Sequence, residues 1–203
     1  SVPLIDLGPW ITTTNTTTTS DNDGSFFTEA QQEVVRQIYD ACRSVGFFQI
    51  TNHGLDTERM DLAWTASQEF FDLAVDEKLR HKTTNEAEYP YGYEQSEQLS
   101  KGKQLDHGST SSSDDDDNDK SAAEDLKETF AIGPNNPESG MPSRRWVDTP
   151  TVPTFQSALE RYYEQMESLA MTLLKLFAFC LEQPADFFEK KMDHHMAALR
   201  LVH

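Results

Sequence analysis

Basic residues are scarce. The chain of 203 residues sets 17 Lys and Arg against 35 Asp and Glu, a formal net charge of −18. Polyanions are bound by clustered Lys and Arg that release counterions. This charge balance, with no basic stripe, argues against nucleic acid and anionic membrane as partners. Cysteine is nearly missing too: Cys42 and Cys180 are the only two, and neither lies in a C-x-x-C pair. Two isolated thiols make no disulfide framework, which points to a reducing, cytoplasmic setting. Long apolar runs are absent. The longest, Leu169 to Leu181, is interrupted by Thr172 and Lys175 and is too short to cross a bilayer. No signal peptide precedes Ser1-Val2-Pro3, and the missing initiator Met points to processing or to excision from something longer.

The familiar catalytic signatures are missing as well. There is no G-x-S-x-G, no P-loop, no G-x-G-x-x-G after a strand and no H-E-x-x-H. The six histidines are His53, His81, His107, His194, His195 and His203, and none has Asp or Glu two positions later. The H-x-D or H-x-E pair that opens a two-His, one-carboxylate iron site is therefore absent. His194 and His195 are neighbours, and neighbouring side chains point in different directions, so they read as polar residues at a helix end. His53 reads as a turn residue bonded locally.

What is present is enough to fold. Hydrophobic residues are 36% and aromatics 10%, with twelve Phe, which supports one domain or a domain and a half with a real core. Pro3 to Leu7 reads as a brief strand. Thr28 and Gln31 form a capping-box pair ahead of a helix whose apolar face carries Val34, Val35, Ile38, Ala41, Cys42 and Val45, and Gly46 stops it. Phe47 to Ile50 suits a buried strand. Asp56 can cap a second helix with Met60, Ala63, Trp64, Ser67, Phe70 and Phe71 inward. Asp76 to Lys82 reads as a further short helical stretch, Tyr89 to Tyr93 as an aromatic loop or strand, and Glu128 to Ile132 as a strand. From about Thr151 to Leu181 one wide apolar stripe predicts a long helix. Pro184 opens a short helix at Asp186 to Phe188, and Ala198 to His203 reads as a strand. Two low-complexity inserts interrupt this order, a Thr-rich one at about 12–25 and a Ser/Asp-rich one at about 101–124. The run Asp114 to Asp117 lacks the alternating ligands and turn glycine of a calcium loop and reads as solvated charge. These strands are too few and too scattered to complete a sheet among themselves.

Several segments together resemble one family. Gly46-Phe47-Phe48-Gln49-Ile50-Thr51-Asn52-His53-Gly54 is similar to the opening of the isopenicillin-N-synthase-like non-haem Fe(II), 2-oxoglutarate-dependent dioxygenases. Phe70-Phe71-Asp72-Leu73 with Lys78 resembles that family's F-F-x-L-P-x-x-x-K, with Ala74 where Pro is usual. Gly92-Tyr93 resembles its G-Y step. Asp125-Leu126-Lys127-Glu128-Thr129-Phe130-Ala131-Ile132-Gly133 resembles its D-x-K-E-x-F-x-I-G strand. Tyr162, Tyr163 and Met166 match its long helix, and Leu199-Arg200-Leu201-Val202-His203 resembles the start of L-R-L-x-H-Y-P.

The resemblance implies a mixed α/β fold: N-terminal helices and a long buttressing helix, with the first strands of a double-stranded β-helix (jelly roll), truncated before the metal site. Residues 1–133 would be the dioxygenase N-terminal region, and 134–203 a linker, the long helix and the first strand leading into a missing jelly roll. The family's H-x-D pair, distal His and R-x-S all follow the point where this chain stops. The complete parent is thus expected to use Fe(II) and 2-oxoglutarate on a small-molecule substrate, while this fragment is expected to carry no metal or catalytic residue, to bind neither cofactor and to be inactive alone. Arg200, Tyr91 and Tyr93 are the positions expected to line a substrate pocket of the completed protein. Their plainer readings are a salt-bridge partner for Arg200 and packing with a wet hydroxyl for the tyrosines. The alternative is a non-catalytic binding or scaffold module built on the same fold.

Overall fold

A computed structural model describes residues 1–12, 27–82, 91–95, 127–135, 142–148, 150–192 and 194–203. The chain divides into two compact units. The first comprises Ser1–Ala66 with Thr154–His195, and the second Ser67–Pro153 with Met196–His203.

In the first unit, β1 (Leu4–Asp6) pairs in parallel with β2 (Gln49–Thr51), Ile5 opposite Ile50. Between them come α1 (Gly8–Ile11) and α2 (Glu29–Ser44). The capping box forms as expected: the Gln31 amide donates to Thr28 Oγ1 and the Thr28 amide to Gln31 Oε1. Gly46 ends the helix at φ +81°, and its amide donates to the Ala41 carbonyl. α5 (Phe155–Cys180) packs on α2. Val34, Ile38 and Ala41 of α2 meet Leu169 and Leu176 of α5, with Ile5 and Leu7 from β1 and its end, and all seven are buried. Beside them Trp10, Phe27 and Phe179 form a ring cluster with centroids 4.7 to 5.3 Å apart. The polar groups there are matched: Trp10 Nε1 donates to the Gln31 carbonyl, Gln31 Nε2 to the Pro9 carbonyl, and the Cys180 thiol to the Val35 carbonyl.

Several sequence expectations shift here. Cys42 and Val45 are exposed: Cys42 lies on the flank of the face that Val34, Ile38 and Ala41 share, and Val45 comes after the end of α2 as its C-cap. Phe47 is 72% exposed, since the ladder with β1 begins only at Gln49. The long helix begins at Phe155, after a turn that holds Pro153. Ala178 rather than Leu181 is the last buried residue of this helix, because the helix has ended before Leu181. The short helix expected at Asp186–Phe188 is a turn, followed by a 3-10 turn at Glu189–Lys191.

The second unit starts in the last turns of α3 (Thr57–Phe71), a helix whose Glu58 amide donates to Asp56 as the capping reading requires. Ala63, Ala66, Phe70 and Phe71 are its buried residues, and Trp64 is 68% exposed. Trp64 lies two turns before Phe71 on the same margin of the buried face, and of the two only Phe71 is covered. After α4 (Val75–Leu79) come β3 (Gly92–Gln95), β4 (Glu128–Ile132) and β5 (Leu199–Val202), an antiparallel sheet in the order β3-β4-β5. The described strands thus make one two-stranded and one three-stranded sheet. Most of the Thr-rich insert and all of the Ser/Asp-rich one lie outside the described residues.

Candidate functional site

The three-stranded sheet and the residue before it hold the positions expected to line a pocket. Its register aligns Tyr93, Phe130 and Leu201 in one row and Gly92, Ala131 and Arg200 in the next. Adjacent rows point to opposite faces of a sheet. One face therefore holds Tyr93 and Phe130, which meet Phe70 edge-on at centroid separations of 5.8 and 5.1 Å. The other face holds Arg200, which is exposed. Tyr91, just before β3, is fully buried, with its hydroxyl end against Gly133. Of the three residues expected to line a pocket, the sheet places Tyr93 and Arg200 on opposite sides.

On the aromatic face, one carboxylate gathers four segments. Glu128 Oε1 accepts from Lys78 Nζ at 2.7 Å and lies 3.2 Å from His203 Nδ1, and its Oε2 accepts from the Tyr93 hydroxyl at 2.5 Å. Lys78 Nζ also donates to the Phe71 carbonyl at 2.7 Å. The His203 ring stacks on Phe71, 5.2 Å between centroids and 12° from parallel. The Lys78 side chain is only 6% exposed and that of Glu128 17%, so this is an ion pair largely withdrawn from water.

The electrostatics follow from that geometry. Burial pushes the Glu128 carboxyl up, but the hydrogen bonds from Lys78 and Tyr93 and the lysine charge outweigh it, and the group sits below its ordinary 4.5. Burial, then the bond to Glu128, drives the Tyr93 phenol well above its ordinary 10.0. Burial also raises Tyr91.

Lys78, Glu128 and His203 were not singled out from the sequence as a site. A signal was available: Glu128 shares a face with Phe130 and Ile132, and a lone carboxylate in an otherwise apolar row needs a cationic partner. Two other histidines have partners, that of His53 within its own turn and that of His195 on the long helix. The Leu55 amide donates to His53 Nδ1, the local turn bond expected there, and His195 Nε2 pairs with Glu167 at 2.6 Å.

Among the described residues, no three His, Cys, Asp or Glu side chains come together to hold a metal ion. The described part of the chain does not supply a ligand set that fits iron. Among the same residues, no helix is long and apolar enough to cross a membrane.

Comparison with known proteins bears on what this sheet belongs to. The chain is 28% identical over 217 residues to the 2-oxoglutarate-Fe(II) type oxidoreductase ppzC of Metarhizium rileyi (strain RCEF 4871), covering 98% of this chain and 50% of that protein. It is 28% identical over 166 residues to the 2-oxoglutarate-dependent dioxygenase ecdK of Aspergillus rugulosus, covering 82% of this chain and 48% of that one. The chain spans about half the length of the curated relatives it matches. In fold it is similar to a full-length Neurospora crassa protein solved in complex with alpha-KG, with a TM-score of 0.71 at 20% identity over 99% of this chain and 54% of that one. The rice dioxygenase for auxin oxidation is also similar, with a TM-score of 0.62 at 18% identity over 100% of this chain and 51% of that one. Residues 2–152 match the family model DIOX_N, described as non-haem dioxygenase in morphine synthesis N-terminal. With most of its length matched, the chain belongs to that non-haem dioxygenase N-terminal family.

Proposed function

We propose that this chain is the N-terminal part of an Fe(II)/2-oxoglutarate-dependent oxygenase that oxidises a small organic substrate. The observation that carries this reading is the family match over residues 2–152 together with relatives about twice as long, whose names are those of 2-oxoglutarate-dependent oxidoreductases. The metal and oxoglutarate ligands belong to polypeptide outside this chain, and β3, β4 and β5 are the first strands of the jelly roll that holds them. A cytoplasmic setting is in keeping with two free cysteines, Cys42 and Cys180.

Within that reading the two sheet faces divide the work. Phe70, Tyr93 and Phe130 pack one face and fix the strands. Arg200 stands exposed on the other, where a cationic fork suits a substrate carboxylate or another anionic group. We assign Arg200 to the substrate pocket of the complete protein. Tyr91 and Tyr93 serve as the packed wall behind it.

The test is succinate formation from 2-oxoglutarate with Fe(II) and ascorbate. The isolated chain is expected to give none, and the longer gene product to turn over. Turnover by the isolated chain overturns the placement of the ligands. A longer product that binds small molecules without consuming oxoglutarate overturns the enzyme reading and favours a scaffold.

A further inference from the structure

The pairing of Glu128 with His203 goes beyond packing. The two residues exchange both backbone hydrogen bonds, Glu128 N to His203 O at 3.0 Å and His203 N to Glu128 O at 2.9 Å. Their side chains meet as well, His203 Nδ1 to Glu128 Oε1 at 3.2 Å. An ionised carboxylate only accepts hydrogen bonds, so the donor in this pair is the imidazole. The proton must therefore sit on His203 Nδ1, and a neutral imidazole then has a bare lone pair on Nε2. Among the described residues Nδ1 is the ring nitrogen that meets Glu128, which leaves Nε2 as the acceptor side of the ring. Glu128 itself is held from behind by Lys78 and Tyr93, and Lys78 by the Phe71 carbonyl, so the carboxylate does not turn freely.

We propose that Glu128 is a positioning residue: it holds His203, just after β5, in the Nδ1–H tautomer and so fixes Nε2 as the hydrogen-bond acceptor of the ring. The same arrangement, a carboxylate behind an imidazole, is the general way a protein fixes which ring nitrogen is free. It does not depend on the oxygenase reading, since every contact lies in this chain. A Gln at position 128 has one carbonyl oxygen where the carboxylate has two. Its carbonyl can still take the place of Oε1, which serves both Lys78 and His203, so the discriminating change is Glu128→Leu, made with Lys78→Met so that no charge is stranded.

The experiment is a two-bond nitrogen–proton spectrum of the full chain labelled with nitrogen-15 in histidine, at about pH 8.5, where an ordinary imidazole is neutral. His203→Asn assigns the signals. In the wild type, Nδ1 is expected to be the protonated nitrogen. In Glu128→Leu/Lys78→Met, the ratio of Nδ1–H to Nε2–H is expected to fall by about tenfold, the scale of one hydrogen bond to a charged group. Tyr93→Phe leaves the carboxylate in place and is expected to keep the wild-type tautomer. A wild-type His203 protonated mainly on Nε2 overturns the proposal, as does an unchanged ratio in Glu128→Leu/Lys78→Met. Should that variant not fold, the wild-type spectrum alone decides.

Discussion

The phenol of Tyr91 occupies the space that any side chain at position 133 would need. A Cβ built on Gly133 would overlap Tyr91 Oη and Cζ outright. Both residues are buried, and the Gly133 carbonyl also accepts from Arg144 Nε at 2.6 Å, so the backbone there has little room to retreat. Glycine is required here by close approach, not by an unusual φ. Gly133→Ala is expected to cost about 3 kcal/mol, the upper end for overpacking a full site. In a Tyr91→Ala background the same change should cost much less, and urea unfolding of the four proteins measures that difference.

Lys78 is the cation of a largely buried pair, and its removal strands two acceptors. Lys78→Met takes the donor away from both Glu128 and the Phe71 carbonyl. A loss of about 3 kcal/mol is expected, since breaking a buried pair leaves an uncompensated charge. Glu128→Gln added to Lys78→Met should recover part of it. Chemical denaturation with an unchanged m-value checks both.

The same cluster sets how stability varies with pH. Glu128 is held below its ordinary 4.5, so its contribution is complete above that pH and is lost as the pH falls through the lowered folded value. Tyr93 is raised above 10.0, so the benefit of its neutral form is complete below that pH and is lost as the pH rises through the raised value. Thermal melts of Tyr93→Phe against wild type should show a shallower alkaline decline. Tyr91, also raised by burial, should leave part of the slope in place. Glu128→Gln should flatten the acid limb instead.

The start of α2 offers a milder test. Thr28→Ala removes the oxygen that accepts the Gln31 amide. The expected cost is about 1 kcal/mol, typical of a lost N-cap. The far-ultraviolet dichroism of the folded variant should be unchanged, and its urea midpoint should be lower.

How far the sequence revealed this arrangement depended on whether the signal was local. The capping box at Thr28 and Gln31, the stop at Gly46 and the strand at Glu128 to Ile132 are local devices, and each was legible. Exposure was harder to read. Trp64 and Phe47 are large and apolar, yet each sits one or two positions off the residues that set the buried face, and nothing in their own identity shows that. The Lys78–Glu128–His203 cluster was hidden for another reason. Glu128 lies 50 positions from Lys78 and 75 from His203, and only the antiparallel register brings them together. The opposed directions of Tyr93 and Arg200 likewise depend on which residues pair across β4.

The alternation along β5 separates two kinds of inheritance. Arg200 and Leu201 are neighbours in the chain, but one turns to the exposed side and the other to the aromatic floor. Exchanging Arg200 for another polar residue would alter what that side attracts while leaving the floor untouched. Substitutions on the Arg200 side can thus be made without disturbing the row that holds Tyr93, Phe130 and Leu201.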